Sequence, residues 1–325
     1  MLGALTALAL VGLLLHLAIG SSLWLPPAEV LRQLGSGPSG RDALNDVIWQ
    51  IRLPRALGCV LVGALLGLVG SAFQALFRNP LAEPYIVGVS SGAAVGGAVA
   101  LTTGLGAAWF GMGMIALSFV GGIASLALVY ALATRRGLVD VGTLLLAGVV
   151  LGAMLSAVLS LIILASGGDT NQVLRWLLGS MTPMYWHELL AMLVVLVLGG
   201  WALTLQTRKL NAFILGEESA QRLGVDTNRL KRMTLGAGTL MTAVAVGSVG
   251  IVGFLGLVAP HIARRLLGVD WRWSLLGSAA VGAFLMLGAD LIAQRAVPDT
   301  ELPVGVVTAL LGAPFLIVLM RAESR

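Results

Sequence analysis

The amino-acid sequence predicts an all-α membrane protein with about ten transmembrane helices per subunit and short helices on its cytosolic side. Three observations carry that prediction. Apolar residues make up 58% of the chain and charged residues only 11%, against roughly 45–50% and 25% in soluble domains. The apolar residues gather into runs close to the ~20 residues that span a bilayer. The 43 glycines supply the small surfaces through which membrane helices approach one another. The 325 residues are accordingly read as one transmembrane domain, residues 1–325, rather than as separate soluble units.

The first apolar run, 2–20, is read as a retained span. A cleaved signal peptide is the alternative, and the lack of a basic segment ahead of the run argues against cleavage. Residues 21–55 form a long outer connection with Pro26, Pro27, a Gly/Ser/Pro patch at 35–40 and Arg52-Leu-Pro-Arg55 at the mouth of the second span, 56–76. A weaker segment, 85–103, is rich in Gly, Ala and Ser; spans at 109–133 and 143–165 follow. The outer stretch 166–186 holds a surface helix near 173–178 and leads to the span 187–205. After the charged loop 206–233 come 234–249, a weak segment at 251–267 carrying Pro260 and His261, and the spans 274–291 and 304–320.

Charge parity decides the two weak segments. When both cross, the basic loops at Arg78, Arg135 and Arg136, 208–232, 264–272 and 321–325 share one side. That side is the cytosol by the positive-inside rule, and both termini lie there. Trp24, Trp49, Trp109, Trp176 and Trp186 then fall near outer ends, and Trp201, Trp271 and Trp273 near inner ends. Gly63 with Gly67, and Gly92 with Gly96, have the four-residue spacing of close helix contacts.

The net charge of +5 belongs to this topology. The basic residues are spread over loops and form no soluble patch, so nucleic acid is not an expected partner. The two lysines, Lys209 and Lys231, have no glycine-rich phosphate loop around them, so ATP hydrolysis by a P-loop is excluded. No carboxylate pair, His/Glu helical pair or Ser/His/Asp set is spaced for catalysis. Cys59, the single cysteine, excludes an internal disulfide and reads as packing. His16, His187 and His261 are scattered and read as packing or hydrogen-bonding residues, so neither metal nor cofactor is expected in this chain. Asp290 is the sharpest residue, because a carboxylate within a span is costly and marks function or pairing. A structural pair with Arg295 is favoured over a proton relay.

Within the 206–233 loop, residues 216–224 read as a short helix bounded by glycines. Glu217 and Glu218 suit its positive N-terminal end, Arg222 follows Glu218 by four residues, and Gly224 is a natural stop. Ala220 and Leu223 are expected to share a small apolar face, and Asp226 to cap the next helix. Such a loop reads either as a solvated linker or as a surface on which a separate protein performs mechanical work.

Four blocks extend this reading: RLPR at 52–55, FRNPLAEPYIVGVSSGA at 77–93, VGFLGLVAPHIAR at 252–264, and Ala289-Asp290 followed by ELPVGVVTALLGAPF at 301–315. In this order, over nearly the whole chain, they resemble the permease subunits of type II ATP-binding-cassette importers, the family that moves iron siderophores, haem and cobalamin. The resemblance implies a homodimeric, ten-helix permease of a bacterial plasma membrane. Its implied partners are cytosolic ABC ATPase subunits that bind ATP and Mg, an extracytoplasmic substrate-binding protein, a second copy of the chain, and lipid. It further implies ATPase-coupling residues at Gly216, Glu217, Glu218, Ala220, Leu223 and Gly224, and a cytosolic gate at Asn79, Pro80, Leu81, Gly142 and Thr143. Arg52, Arg55 and Arg295 match arginines that receive glutamates of the binding protein, although Arg295 stands one residue later than in the commoner AD-x-x-A-R pattern. Ferric siderophore is the expected cargo, with haem or cobalamin next. The alternatives are a proton- or sodium-coupled secondary transporter using Asp290 and a scaffold without transport.

Overall fold

The computed structural model describes residues 1–323 except 21–23, 41, 86, 110, 136–137, 168–169 and 299. Arg136 and Arg325 of the predicted basic set and Ile86 of the 77–93 block lie outside the described residues. The chain is helical almost throughout. In order it forms α1 (Leu2–Ile19), α2 (Pro27–Gly35), α3 (Ala43–Asp46), a π-helical turn (Val47–Arg52), α4 (Leu53–Phe77), α5 (Val89–Thr102) and α6 (Gly113–Ala133). A hairpin of β1 (Thr134–Arg135) and β2 (Leu138–Val139) leads to α7 (Val141–Ala165), α8 (Thr170–Leu177) and α9 (Trp186–Thr204). Then come α10 (Thr207–Ile214), α11 (Glu217–Arg222), α12 (Thr227–Val249), α13 (Leu255–Leu267), α14 (Trp271–Arg295) and α15 (Val304–Glu323).

Each of the ten predicted spans is a helix here. Among the described residues, six helical runs are long and apolar enough to cross a membrane unaided: α1, the continuous run Ala43–Phe77, α6, α7, α9 and α14. The other four are α5, α12, α13 and α15. At 14 residues, α5 is about 21 Å long, short of the ~30 Å hydrocarbon layer, and α13 carries Pro260. Short or broken segments are tolerated at membrane depth where protein covers their backbone. Both satisfy that condition, since α5 packs against α6, α7 and α12, and α13 against α4 and α14.

The centre of the bundle is α4, with 89% of its membrane window buried. Helices α1, α9, α12, α13 and α14 surround it. Its glycines make this possible: a Cβ on Gly63 or Gly67 would overlap the backbone of α14 at Gly282 or Ser278. Gly92 and Gly96 of α5 meet Gly121 and Leu117 of α6 in the same way. Both predicted glycine pairs therefore sit at helix crossings, where backbones touch because no side chain intervenes. At the other extreme, only 11% of the α7 window is buried. Its main packing partners are α5 and α6, and it exposes Leu146, Val150, Met154, Leu161 and Leu164.

Local signals explain several helix ends. Asp140, Asp226 and Asp270 cap α7, α12 and α14, each accepting a backbone N–H from the first turn. Two tryptophans depart from the expected belt. Trp176 and Trp271 are buried, while Trp24, Trp109, Trp201 and Trp273 are exposed. Trp176 faces inward because α8, an amphipathic outer helix, packs Val173 and Trp176 against the bundle.

Candidate functional site

On the side expected from the basic loops to face the cytosol, α10 and α11 stand between α9 and α12. Gly216, at φ 119°, starts α11 in a conformation that disfavours any side chain, and Gly224, at φ 80°, lets the chain turn back toward α12. Leu215 and Leu223 are 71% and 67% exposed, Glu218 is exposed, and Ala220 is fully buried. Ala220 and Leu223 thus do not share a contact face, contrary to the expectation from spacing. Leu223 is already beyond the last helical residue, so the i,i+3 relation no longer holds. The exposed apolar side chains at this module's outer face include Leu215 and Leu223 instead.

Glu217 turns inward. Its Oε1 accepts from Lys231 Nζ at 2.5 Å, and the same ammonium donates to the Val139 carbonyl at 2.6 Å. Lys231 is 1% exposed. Its ammonium also stands 5.9 Å from the Phe213 ring, which Arg78 approaches at 5.7 Å.

Arg78 ends α4 in the left-handed region, at φ 50°. Asn79 Oδ1 then accepts from Leu81 N at 2.9 Å, fixing the Asn79-Pro80-Leu81 turn. Farther along this loop, the Tyr85 hydroxyl donates to the Val252 carbonyl and accepts from its N–H, both at 2.8 Å. That double bond ties the loop to the link between α12 and α13. Burial pushes the Glu83 carboxyl up to about 7, opposed only in part by the Phe254 backbone. Asn79 and Pro80 line a cavity of about 690 Å³ together with Asn211, Leu215, Arg264 and Trp271. The turn therefore lies beside the end of α10. Gly142 and Thr143 occupy the first turn of α7, where Thr143 N donates to the Asp140 cap at 2.6 Å.

On the outer side a cavity of about 1130 Å³ is lined by Arg55, Asp290, Glu301, Arg175, Trp176 and His187 among others. Its wall is a buried charge network. Asp290 Oδ2 lies 2.8 Å from His16 Nε2, Arg55 Nε and Gln294 Nε2 alike. Arg55 Nη2 donates to Oδ1 at 3.0 Å, and Nη1 reaches both Glu301 oxygens at 2.9 Å. Asp290 thus pairs with Arg55, and not with Arg295 as expected. Residue 295 is five positions on, about 140° around the helix from Asp290, whereas Gln294 at i+4 stands almost above it. His16, expected to be a packing or hydrogen-bonding residue, is a hydrogen-bonding partner of Asp290 and 2% exposed. The ligating atoms of His16, Cys59 and Asp290 lie within 4.8 Å of one another. Arg55 and Gln294 already occupy the carboxylate, so the cluster is an ion-pair network.

The other two arginines cap α1. Arg52 Nη1 donates to the Leu17 carbonyl at 2.7 Å, and Arg295 donates to Gly20 and Ile19 carbonyls at 2.8 Å each. Cations suit this helix end, where carbonyls lack intrahelical partners. Arg52 and Arg55 are each 7% exposed, and Arg295 is exposed. In this conformation Arg295 alone of the three expected docking arginines faces outward.

Sequence reading missed His16, Glu83, Gln294, Lys231 and Glu301 as members of these sites. A signal existed for Gln294, at i+4 from Asp290, and for Glu83 and Glu301, the acidic residues of the 77–93 and 301–315 stretches. His16 carried none, because Asp290 is 274 residues away, and Lys231 has Glu217 14 residues away in the same loop but Val139 92 residues away.

The FecCD transport family model matches residues 8–322. The cobalamin import system permease protein of Halobacterium salinarum is 41% identical over 280 residues, 86% of this chain and 74% of that one. The vitamin B12 import system permease protein of Klebsiella pneumoniae is 40% identical over 325 residues, 99% and 93% of the two chains. A solved structure described as an inward-facing metal-chelate type ABC transporter superposes with a TM-score of 0.86 at 33% identity, covering 99% of this chain and 98% of the other.

Proposed function

The chain belongs to the FecCD transport family, and from that membership we propose that it is the membrane-spanning permease of a binding-protein-dependent, ATP-driven importer whose cargo is cobalamin. The observation that carries the mechanism is the exposed α10–α11 module, with Leu215, Glu218 and Leu223 outward on a chain that has no nucleotide-binding loop of its own. ATP and Mg are held by a separate cytosolic ATPase, which grips this module, and the permease itself carries no cofactor. Two copies face each other across a central path, and the exposed apolar sides of α7 and α15 meet the second copy and lipid. Both termini lie in the cytosol.

A loaded binding protein docks outside and releases cargo into the cavity above Arg55 and Glu301. Arg295 is the docking arginine open in this conformation, and Arg52 and Arg55 join it only if the outer helix ends rearrange. Closure of the ATPases moves α10–α11, and with them the Asn79-Pro80-Leu81 turn and the start of α7 at Gly142 and Thr143, so that one side opens as the other shuts. The cargo crosses chemically unchanged. The family resemblance points first to ferric siderophore, but the support from named relatives falls on cobalamin; ferric siderophore and haem are the next candidates.

The test is uptake into proteoliposomes holding this chain and its cognate ATPase, with cobalamin, ferric siderophore and haem offered in turn on matching binding proteins. Accumulation of cobalamin that requires both ATP and binding protein supports the proposal. Uptake driven by a proton or sodium gradient without the ATPase, and lost in Asp290→Asn, would replace it with secondary transport.

A further inference from the structure

The ammonium of Lys231 joins the α10–α11 module to the end of β2, a segment 92 residues earlier in the chain than Lys231. It bonds Glu217, the first residue of α11, at 2.5 Å, and the Val139 carbonyl, at the end of β2, at 2.6 Å. Val139 immediately precedes Asp140, the residue that caps α7. The third contact is the buried Phe213 of α10, whose ring also meets Arg78 at the end of α4. From one buried side chain, contacts therefore lead to the start of α7 on one side and to the Asn79-Pro80-Leu81 turn on the other.

Adjacent bonds run in parallel with it. Asn228 Oδ1 accepts from Val139 N at 3.5 Å, and Gln221 of α11 donates to Thr227 at 3.1 Å. These are long or partly exposed neutral contacts, whereas the Lys231 bonds are short and charge-assisted, the stronger class. A lysine is an expensive way to fill this space if packing were its only role, because an apolar residue of similar volume would spare the desolvation of a charge. Its separate donor protons hold two acceptors on different segments at once, which an apolar residue cannot do. The helix at the far end of this linkage, α7, is also the least buried of the long spans, so it meets little packing resistance when its first turn is moved.

We propose that Lys231 is a positioning residue for transport, the strut that carries displacement of the α10–α11 module to the entrance of α7. The inference rests on the ATP-driven importer reading above. Without the strut, the ATPase still binds the outward face of α11 and still turns over, but its stroke no longer reaches the gate.

The experiment reconstitutes wild-type, K231M, K231Q and K231R chains with the cognate ATPase and binding protein. It measures copurification, ATP hydrolysis, and cobalamin accumulated per ATP. The expected result is that K231M and K231Q assemble and hydrolyse ATP within about twofold of wild type, yet move at least about tenfold less cargo per ATP. K231R, which keeps the charge and several donors, retains most of the wild-type ratio. A wild-type ratio in K231M and K231Q overturns the inference. So does failure of both to assemble while K231R assembles, because Lys231 is then needed for folding rather than for transmission. Absence of ATP-driven uptake of any of the three cargoes in the wild-type chain would instead bring down the importer reading itself.

Discussion

Replacing Arg55 by Met tests the outer network through a magnitude set by its geometry. Four guanidinium bonds are lost, two to Asp290 and two to Glu301. The losses are unequal, because Asp290 is 1% exposed whereas the Glu301 side chain is 41% exposed and can return to water. An ion pair as exposed as the Glu301 arm contributes about 0–1 kcal/mol. The Asp290 arm leaves a buried carboxylate without its guanidinium partner, next to His16, Gln294 and the Cys59 thiol, and breaking such a pair costs about 3–5 kcal/mol. Arg55→Met should therefore destabilise by roughly 3–5 kcal/mol, and Glu301→Gln by no more than about 1. The double variant Arg55→Met with Asp290→Asn removes both charges, so it should recover most of the loss, with a coupling of about 2–4 kcal/mol in the cycle. Thermal unfolding in detergent, followed by loss of the monodisperse peak, reads these differences at about 2 °C per kcal/mol. Equal midpoints for wild type and Arg55→Met, or a double variant no better than Arg55→Met alone, would refute the assignment of this network as a buried pair.

Three other expectations follow from the same structure. Gly63→Val places branched atoms against the Gly282 carbonyl and should prevent recovery of folded protein, whereas Gly3→Val, with open space around it, should leave yield and midpoint unchanged. The Glu83 carboxyl, in the loop between α4 and α5, is raised by burial from 4.5 to about 7. The folded state therefore holds a proton there that the unfolded chain releases, and stability falls as pH rises from about 4.5 through about 7, by at most ~3 kcal/mol; a midpoint-against-pH curve equally steep in Glu83→Gln would reject this. Leu223→Asp and Glu218→Lys should abolish ATP-driven uptake while the chain still folds, and full uptake in both would remove α11 from the coupling role.

Much of the architecture was readable in the chain. Eight of the ten spans follow from apolar runs, the weak α5 and α13 from charge parity, and the start of α12 from Asp226, because hydropathy and capping act over a few neighbouring residues. The Gly63/Gly67 and Gly92/Gly96 spacings located helix crossings for a similar reason, since four residues bring two small surfaces onto one helix face. The α11 helix and its glycine boundaries were equally local. Partnership between charges was not. Nothing near His16 or Lys231 in the chain announces Asp290 or Val139, which lie 274 and 92 residues away.

Where local reasoning was extended to side-chain direction it failed in two places. Asp290 met Gln294 and Arg55 rather than Arg295, and Leu223 left the face of Ala220 because the helix had already ended. The sequence by itself determined that the chain is a bundle of membrane helices with a short helix in its charged 206–233 loop, since burying about 20 apolar residues in lipid is favourable for each span whatever its neighbours. Only the tertiary structure decided which charges meet. Opposite charges in a low-dielectric interior must be paired, but the partner is whichever group the crossing of distant helices brings within about 3 Å, and that distance is a property of the packed bundle.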